Sequence, residues 1–379
     1  MEDRINILGD FIESPTGYGA HSKGLTLALD RLNPDKVSYE CVLPEGWDRV
    51  TSDQCRQMIL RAGTREQRRA HNVCITTPVF MPLKASERPK SLWQYCVFEG
   101  NKIPAHWALL LARKDVTGVL VPSEHTRRAV LNTLPSLNEK VFVVPHGVDQ
   151  STYRMVPKEQ NEWHKPVNPQ NKFVFGFVGG WAQGIHDRKD LALALRAFCA
   201  EFKPNEPVTF VAKINMAYNQ GLDVNKAIDD LGLPKERPQI TVITQDTTEQ
   251  QRCMIYNTFD VFCCPSRAEA FGLTFLEAMA CGVPCIAGGY GGQTDFVNDT
   301  NGWVLDKYEL VQSKDASMMY EGIHWAQYSQ EQLQDLMRKA YEEKLALQHK
   351  KKEALLTATH YEWTASAERL IKVMFGGAQ

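Results

Sequence analysis

The sequence predicts an α/β protein of two doubly wound halves, each a mainly parallel sheet covered on both faces by helices. Three observations predict it. Short apolar runs alternate with helical patterns along nearly the whole chain. At 379 residues the chain exceeds what one ordinary core organises and suits two domains of roughly 150 to 200 residues. Between two such alternating series, Asn161 to Asn171 is polar and carries Pro166 and Pro169, which makes it the natural linker.

In the first half, Ile5–Leu8, Tyr39–Leu43, Val73–Thr76, Leu92–Phe98, Val116–Val121 and Val141–Val144 are apolar runs of strand length. Ser22–Leu32 places its apolar positions at helical spacing and covers the first crossover. Ahead of it, Gly17-Tyr18-Gly19-Ala20-His21-Ser22 falls short of a dinucleotide fingerprint. Eight positions separate Gly9 from Gly17, and Ser22 stands where the third glycine belongs.

The second series opens with the strand Phe173–Val178 and the turn Gly179-Gly180. Arg188 and Lys189 follow, just before a helix from Asp190 to Phe202. Two cations beside free helix amides suit a diphosphate, because a departing diphosphate gathers negative charge. Val208–Ile214 and Ile240–Ile243 are further strands. Asp260–Cys264 is another, closed by Pro265-Ser266, and a loop bearing Glu269 comes next. From Thr274 to Ala280 the residues favour a helix, with Phe275, Leu276 and Met279 spaced to face a core. Gly282-Val283-Pro284 stops it, and Pro284–Ala287 is the next strand.

That βαβ unit places Ser266 to Leu273 at the carboxyl end of a parallel sheet, where such folds take ligands. Free amides in the first helical turn favour an anion, and Glu269 and Glu277 can take hydroxyl groups on either side of it. The tail reads as a charged helical stretch from Gln330 to Lys352 and a last amphipathic helix from Tyr361 to Met374.

Composition narrows the function classes. With 43 basic and 45 acidic residues the formal net charge is −2, which argues against a dedicated polyanion binder. The clusters Arg65 to Arg69 and Lys350-Lys351-Lys352 read as solvated helix faces. None of the ten cysteines forms a Cys-x-x-Cys pair, and most sit in apolar runs, as expected of free thiols in a reducing cytosol. Met1-Glu2-Asp3-Arg4 leads straight into a strand, so no signal peptide is expected, and no apolar run approaches the roughly 20 residues that span a bilayer. A cytoplasmic protein is the expectation, with peripheral membrane contact left open. No Asp-x-Asp pair is present to hold a divalent ion, so no metal is expected.

Glu269-x7-Glu277, with Phe271-Gly272-Leu273 inside it and Ala278-Met279-Ala280-Cys281-Gly282-Val283-Pro284-Cys285-Ile286 after it, resembles the signature of retaining GT-B-fold glycosyltransferases of family 4, the glycosyl transferases group 1. Pro122-Ser123-Glu124-His125-Thr126, Val144-Pro145-His146-Gly147-Val148-Asp149 and Asp187-Arg188-Lys189-Asp190 occur in that family's order and intervals, so the resemblance covers most of the chain. It implies two Rossmann-like domains facing a cleft: residues 1–165 for the acceptor, 166–355 for a nucleotide sugar, and 356–379 a helix crossing back.

The reaction implied is transfer of a hexosyl or pentosyl group from a UDP, GDP or ADP sugar to an acceptor hydroxyl, with retention and without metal or cofactor. Glu269 would meet the donor sugar's hydroxyls and Glu277 the ribose, while Arg188, Lys189 and the amides of Phe271, Gly272 and Leu273 hold the diphosphate. The backbone at Gly19 would come close to a phosphate or sugar. His21, His125, His146 and His186 lie within motifs, and His146 and Asp149 resemble parts of a hinge and cleft wall.

Two departures stand out. Gly180-Trp181 occupies the place where many relatives carry an arginine, and Cys96-Val97-Phe98-Glu99-Gly100-Asn101 the place where many carry a histidine, which leaves Glu99 or Asn101 to contact sugar or acceptor. The alternatives are a nucleotide-sugar-binding protein without turnover, a DNA-modifying glycosyltransferase of viral type and, last, an NAD-dependent oxidoreductase. The acceptor (a glycan, lipid-linked glycan, small molecule or DNA) and the oligomeric state stay open.

Overall fold

The computed structural model describes residues 3–9, 12–13, 16–42, 52–62, 70–81, 89–181, 187–216, 221–313 and 319–376. Leu43, His186 and the Arg65 to Arg69 cluster lie outside the described residues. The chain divides into two compact units, Met1–Gly147 with Tyr361–Gln379, and Val148–His360.

The first unit runs β1 Ile5–Gly9, α1 Gly17–Leu32, β2 Val37–Cys41, α2 Asp53–Ala62, β3 His71–Ile75, β4 Ser91–Tyr95, α3 Ala105–Leu111, β5 Gly118–Val121, α4 Glu124–Thr133 and β6 Val141–Val143. Its sheet has the order β2-β1-β3-β4-β5-β6, with every pairing parallel. Strand β1 lies between two neighbours, Ile7 opposite both Tyr39 and Val73, and all five of its residues are buried. A strand covered on both faces has no use for polar alternation, which is why it reads as a continuous apolar run.

Helix α1 begins at Gly17, earlier than the apolar spacing from Ser22 suggests, because the Thr16 hydroxyl caps it by accepting the Gly19 N–H at 3.1 Å. The chain's last helix, Trp363–Phe375, belongs to this unit and packs on α1. A Cβ at Gly24 would lie 2.2 Å from the Trp363 ring, so glycine there is what lets the two helices approach. His21 stacks on His146 at 4.2 Å between ring centroids and on Trp363 at 5.9 Å, with Tyr95 edge-on at 4.1 Å. His146 thus works as a buried aromatic of the core; burial lowers its pKa to about 3 and keeps it neutral.

The second unit begins with the short helix α5 His164–Val167. It continues β7 Phe173–Gly179, α6 Leu191–Glu201, β8 Val208–Ile214, α7 Val224–Asp229, β9 Gln239–Ile243, α8 Glu249–Tyr256, β10 Val261–Cys264, α9 Leu273–Ala280, β11 Cys285–Gly288 and β12 Gly302–Leu305. The antiparallel hairpin β13 Tyr308–Gln312 and β14 His324–Tyr328 follows, then α10 Gln330–Glu342 and α11 Lys344–Thr359; the last helix of the chain is α12. The sheet order is β12-β11-β10-β7-β8-β9, again parallel throughout.

Asn161 to Asn171, expected as a linker, is packed into this unit. Asn161 Nδ2 donates to the Met254 carbonyl at 2.8 Å, and the Asn168 side chain bonds both the carbonyl and the amide of Lys172. The polar composition there serves part-buried hydrogen bonds. The division between units falls between Gly147 and Val148, inside the Val144–Asp149 motif.

Candidate functional site

In the second unit the chain leaves β7 toward β8 and β9, then returns to place β10 on the other side of β7. Loops that leave neighbouring strands in opposite directions open a crevice at their carboxyl ends. The two loops concerned carry Arg188-Lys189 after β7 and Ser266 to Gly272 after β10.

The first loop is held by its own acids. Asp187, buried, accepts the N–H groups of Lys189 at 3.1 Å and Leu191 at 2.9 Å, while Asp190, in the left-handed region at φ 51°, caps α6 through the Leu193 N–H at 3.2 Å. Burial, reinforced by the charge of Asp190, raises the Asp187 pKa to about 7. Burial likewise raises that of Asp190 to about 6. The Leu191 and Leu193 amides at the start of α6, expected to be free for an anion, are therefore taken by these carboxylates. What the turn presents is its two cationic side chains.

Both converge on Glu269. Lys189 Nζ lies 2.5 Å from one carboxylate oxygen and Arg188 Nη1 3.3 Å from the other, and the Ser266 hydroxyl donates to Glu269 Oε1 at 2.6 Å. Arg188 also donates to the Ala268 carbonyl, and its own carbonyl accepts the Arg267 N–H at 2.8 Å, so the two loops are stitched together. Burial alone would raise the Glu269 pKa, but the charges of Lys189 and Arg188 outweigh it and hold the carboxyl at about 2. The Glu269 side chain is 7% exposed, against 23% for Arg188 and 16% for Lys189, so it is the cations that reach solvent. Two cations thus meet one carboxylate.

Three residues beyond Glu269 lies the start of α9. Gly272 sits at φ 101°, a conformation that costs a residue with a Cβ, and no side chain caps the helix. Among the described residues the amides of Gly272, Leu273 and Thr274 meet no acceptor, and the buried Thr274 hydroxyl has no partner. Unfilled first-turn donors beside two cations make a site for a dianion. Phe271 is buried with its ring 5.1 Å from Phe296.

Glu277, one turn further along α9, lies in a separate polar cluster. Tyr256 donates to it at 2.8 Å, and Arg252 bonds the Tyr153 hydroxyl at 3.1 Å. Burial raises the Glu277 pKa, and the Arg252 charge opposes it. Glu269 and Glu277 are thus not equivalent: one is locked ionised in an ion pair, the other held by phenol hydroxyls.

In the first unit, Gly19 lies in the first turn of α1 rather than in a loop, and its amide is spent on Thr16. His125, in the first turn of α4, is buried, its pKa lowered to about 4 by burial. Asn101 accepts at its carbonyl from Asn132 Nδ2 at 2.8 Å. Asp149, in the second unit, binds the Ser151 and Thr152 hydroxyls.

Sequence reasoning missed several contributors. Ser266 anchors Glu269, and the turn Gly289-Tyr290-Gly291-Gly292-Gln293 backs that loop, with Gly292 N–H donating to the Glu269 carbonyl at 2.7 Å. The doubled glycines after β11 were the available signal. Tyr153, Arg252 and Tyr256 around Glu277 had none, being an ordinary loop and helix in sequence. Among the described residues no three His, Cys, Asp or Glu side chains gather as a metal site, and no helix is long and apolar enough to cross a membrane. No disulfide joins any of the ten cysteines.

The family model of the glycosyl transferases group 1 matches residues 236–357, which include Glu269, Glu277 and the whole of α9. Among characterised sequences, a D-inositol 3-phosphate glycosyltransferase of Segniliparus rotundus is 27% identical over 186 residues, 48% of this chain and 39% of that one. The chain spans less than half the length of the curated relatives it matches first.

Solved structures match along the whole chain. The Anabaena protein HepE, in complex with UDP and glucose, aligns with a TM-score of 0.68 at 14% identity, over 99% of this chain and 100% of that one. Sucrose-phosphate synthase from Thermosynechococcus elongatus aligns with 0.72 at 13% identity, over 100% of both. Residues 236–357 are therefore similar to a glycosyl transferases group 1 domain, and the two parallel-sheet Rossmann-like units have the GT-B fold.

Proposed function

We propose that the protein is a glycosyltransferase that moves a sugar from a nucleotide-diphosphate donor to an acceptor hydroxyl, with retention of configuration and without a metal. The observation that carries this reading is the convergence of Lys189 and Arg188 on the Glu269 loop, which leads directly into the unfilled first-turn amides of α9. The diphosphate lies between them. As the bond from the sugar's anomeric carbon to the phosphate oxygen breaks, the charge growing on that oxygen is met by donors already in place. Glu269 holds the Lys189 side chain in place, and accepts from the donor sugar's hydroxyls. Glu277 takes the ribose hydroxyls. The acceptor hydroxyl attacks on the face the diphosphate leaves, and the departing phosphate oxygen receives its proton.

Domain matching and the HepE complex with UDP and glucose support a nucleotide-sugar donor for this chain as well. The first unit binds the acceptor, and the ten cysteines, none in a disulfide, fit a reducing cytoplasm. The test is to incubate the purified protein with UDP, GDP and ADP sugars and candidate acceptors, following diphosphate release and the anomeric proton by NMR. A product whose anomeric configuration matches the donor supports the proposal. An inverted product overturns retention, and binding of the donor without any turnover, slow hydrolysis included, leaves a nucleotide-sugar-binding protein instead.

A further inference from the structure

Strand β8 holds a lysine where a core residue belongs. All seven residues from Val208 to Ile214 are buried, Lys213 among them at 4% exposure. Ammonium groups are almost never buried without a counter-charge. Among the described residues Lys213 takes part in no salt bridge, and Nζ donates once, to the Ile214 carbonyl at 3.0 Å. Three N–H bonds are available on an ammonium, so two await acceptors. Burial lowers the Lys213 pKa, the Arg252 charge lowers it further, and Asp246 opposes them.

The position of this lysine is informative. Lys213 pairs in register with Val178 at the carboxyl end of the sheet, one strand beyond β7 and on the side away from β10. The cationic corner and the α9 amides serve the β10 side of the same crevice. Glu277 points toward α8, bonded to Tyr256, and Arg252 on α8 is a charge neighbour of both Glu277 and Lys213. Phosphate, ribose and base laid from that corner across the strand ends therefore bring the base over β8.

Building on the donor site proposed above, we infer that Lys213 reads the nucleobase, donating from Nζ to the keto oxygen at C4 of uracil or C6 of guanine. A phosphate is already provided with donors elsewhere, and a neutral carbonyl is the acceptor that satisfies a buried ammonium without bringing a second charge into the core. Adenine and cytosine carry an amino group at the corresponding positions. Its N–H bonds would face those of the ammonium, so these bases are rejected.

Titration calorimetry of UDP, GDP, ADP and CDP with the wild-type protein, Lys213→Met, Lys213→Gln and Lys189→Met tests the inference. The wild type binds UDP or GDP at least about ten-fold more tightly than ADP and CDP, the worth of one charge-assisted hydrogen bond. Lys213→Met weakens the preferred diphosphate roughly ten- to a hundred-fold and leaves the others within about three-fold. Lys213→Gln keeps an N–H donor and part of the preference. The comparison of UDP with CDP on the wild-type protein needs no variant, so it decides even where Lys213→Met fails to fold. Equal binding of keto and amino bases, or a uniform loss across all four ligands in Lys213→Met, overturns the inference while Lys189→Met still weakens every ligand. If no diphosphate binds, or Lys189→Met binds as the wild type does, the donor site itself is wrong.

Discussion

Replacing Glu269 by glutamine separates two things its carboxylate does. Held at about 2 against an ordinary 4.5, the group contributes about 3 kcal/mol at neutral pH, since each tenfold change in proton affinity is worth about 1.4 kcal/mol. Because the folded-state value is depressed, that contribution is complete above about pH 5 and disappears as the pH falls toward 2. Glutamine can still accept from Ser266, so the shape of the loop survives, but Lys189 and Arg188 lose their counter-charge. Urea unfolding followed by circular dichroism should place Glu269→Gln about 3 kcal/mol below wild type at pH 7, the gap closing steadily toward pH 3. Unpaired, the two cations should also bind a nucleoside diphosphate more tightly by calorimetry, even as sugar transfer is lost. A stability gap that stays constant or widens in acid would refute the electrostatic account of Glu269. So would a diphosphate affinity that falls along with stability.

Other predictions follow from single features. Gly272→Ala forces a Cβ into φ 101° and to 3.0 Å from Gln293 Cβ; it should cost about 1–2 kcal/mol and displace the α9 amides, weakening diphosphate binding more than melting temperature alone implies. Asp187 has its pKa raised to about 7, so as the pH rises from 3.8 toward 7 its ionisation costs the folded state stability. Asp187→Asn should therefore gain on wild type between about pH 4 and pH 7 and hold that gain above, offset in part by a lost amide hydrogen bond; a difference independent of pH in thermal melts would contradict the assignment. Gly24→Ala drives a methyl group into Trp363 and should destabilise by about 1–3 kcal/mol, readable as a lowered urea midpoint; an unchanged midpoint would mean that α12 is not seated on α1 through this contact.

Both sheets were legible because parallel strands buried on two faces leave unbroken apolar runs, as in Ile5–Gly9 and Phe173–Gly179. The candidate site drew on chemistry compressed into short spans, Asp187-Arg188-Lys189-Asp190 and Glu269 to Glu277. What failed was inference from composition. Asn161 and Asn168 look like linker residues, yet each satisfies part-buried main-chain groups, and nothing in a single polar residue distinguishes the two roles. The start of α6 looked like an anion site because the sequence shows a helix start behind two cations; that its amides are already bonded to Asp187 and Asp190 depends on a left-handed backbone at Asp190. The hairpin of β13 and β14 escaped because β13 is mostly exposed and carries no buried alternation. Lys213 was hidden in an apolar run, where the eye reads the strand and passes over its one charge.

The most direct measurement is a crystal structure with whichever of UDP, GDP and ADP most raises the melting temperature. The account places the terminal phosphate within hydrogen-bond distance of Lys189 Nζ and the amides of Gly272 and Leu273, with the ribose at Glu277. Phosphates found elsewhere, with the Lys189–Glu269 pair and the α9 amides untouched, would contradict it.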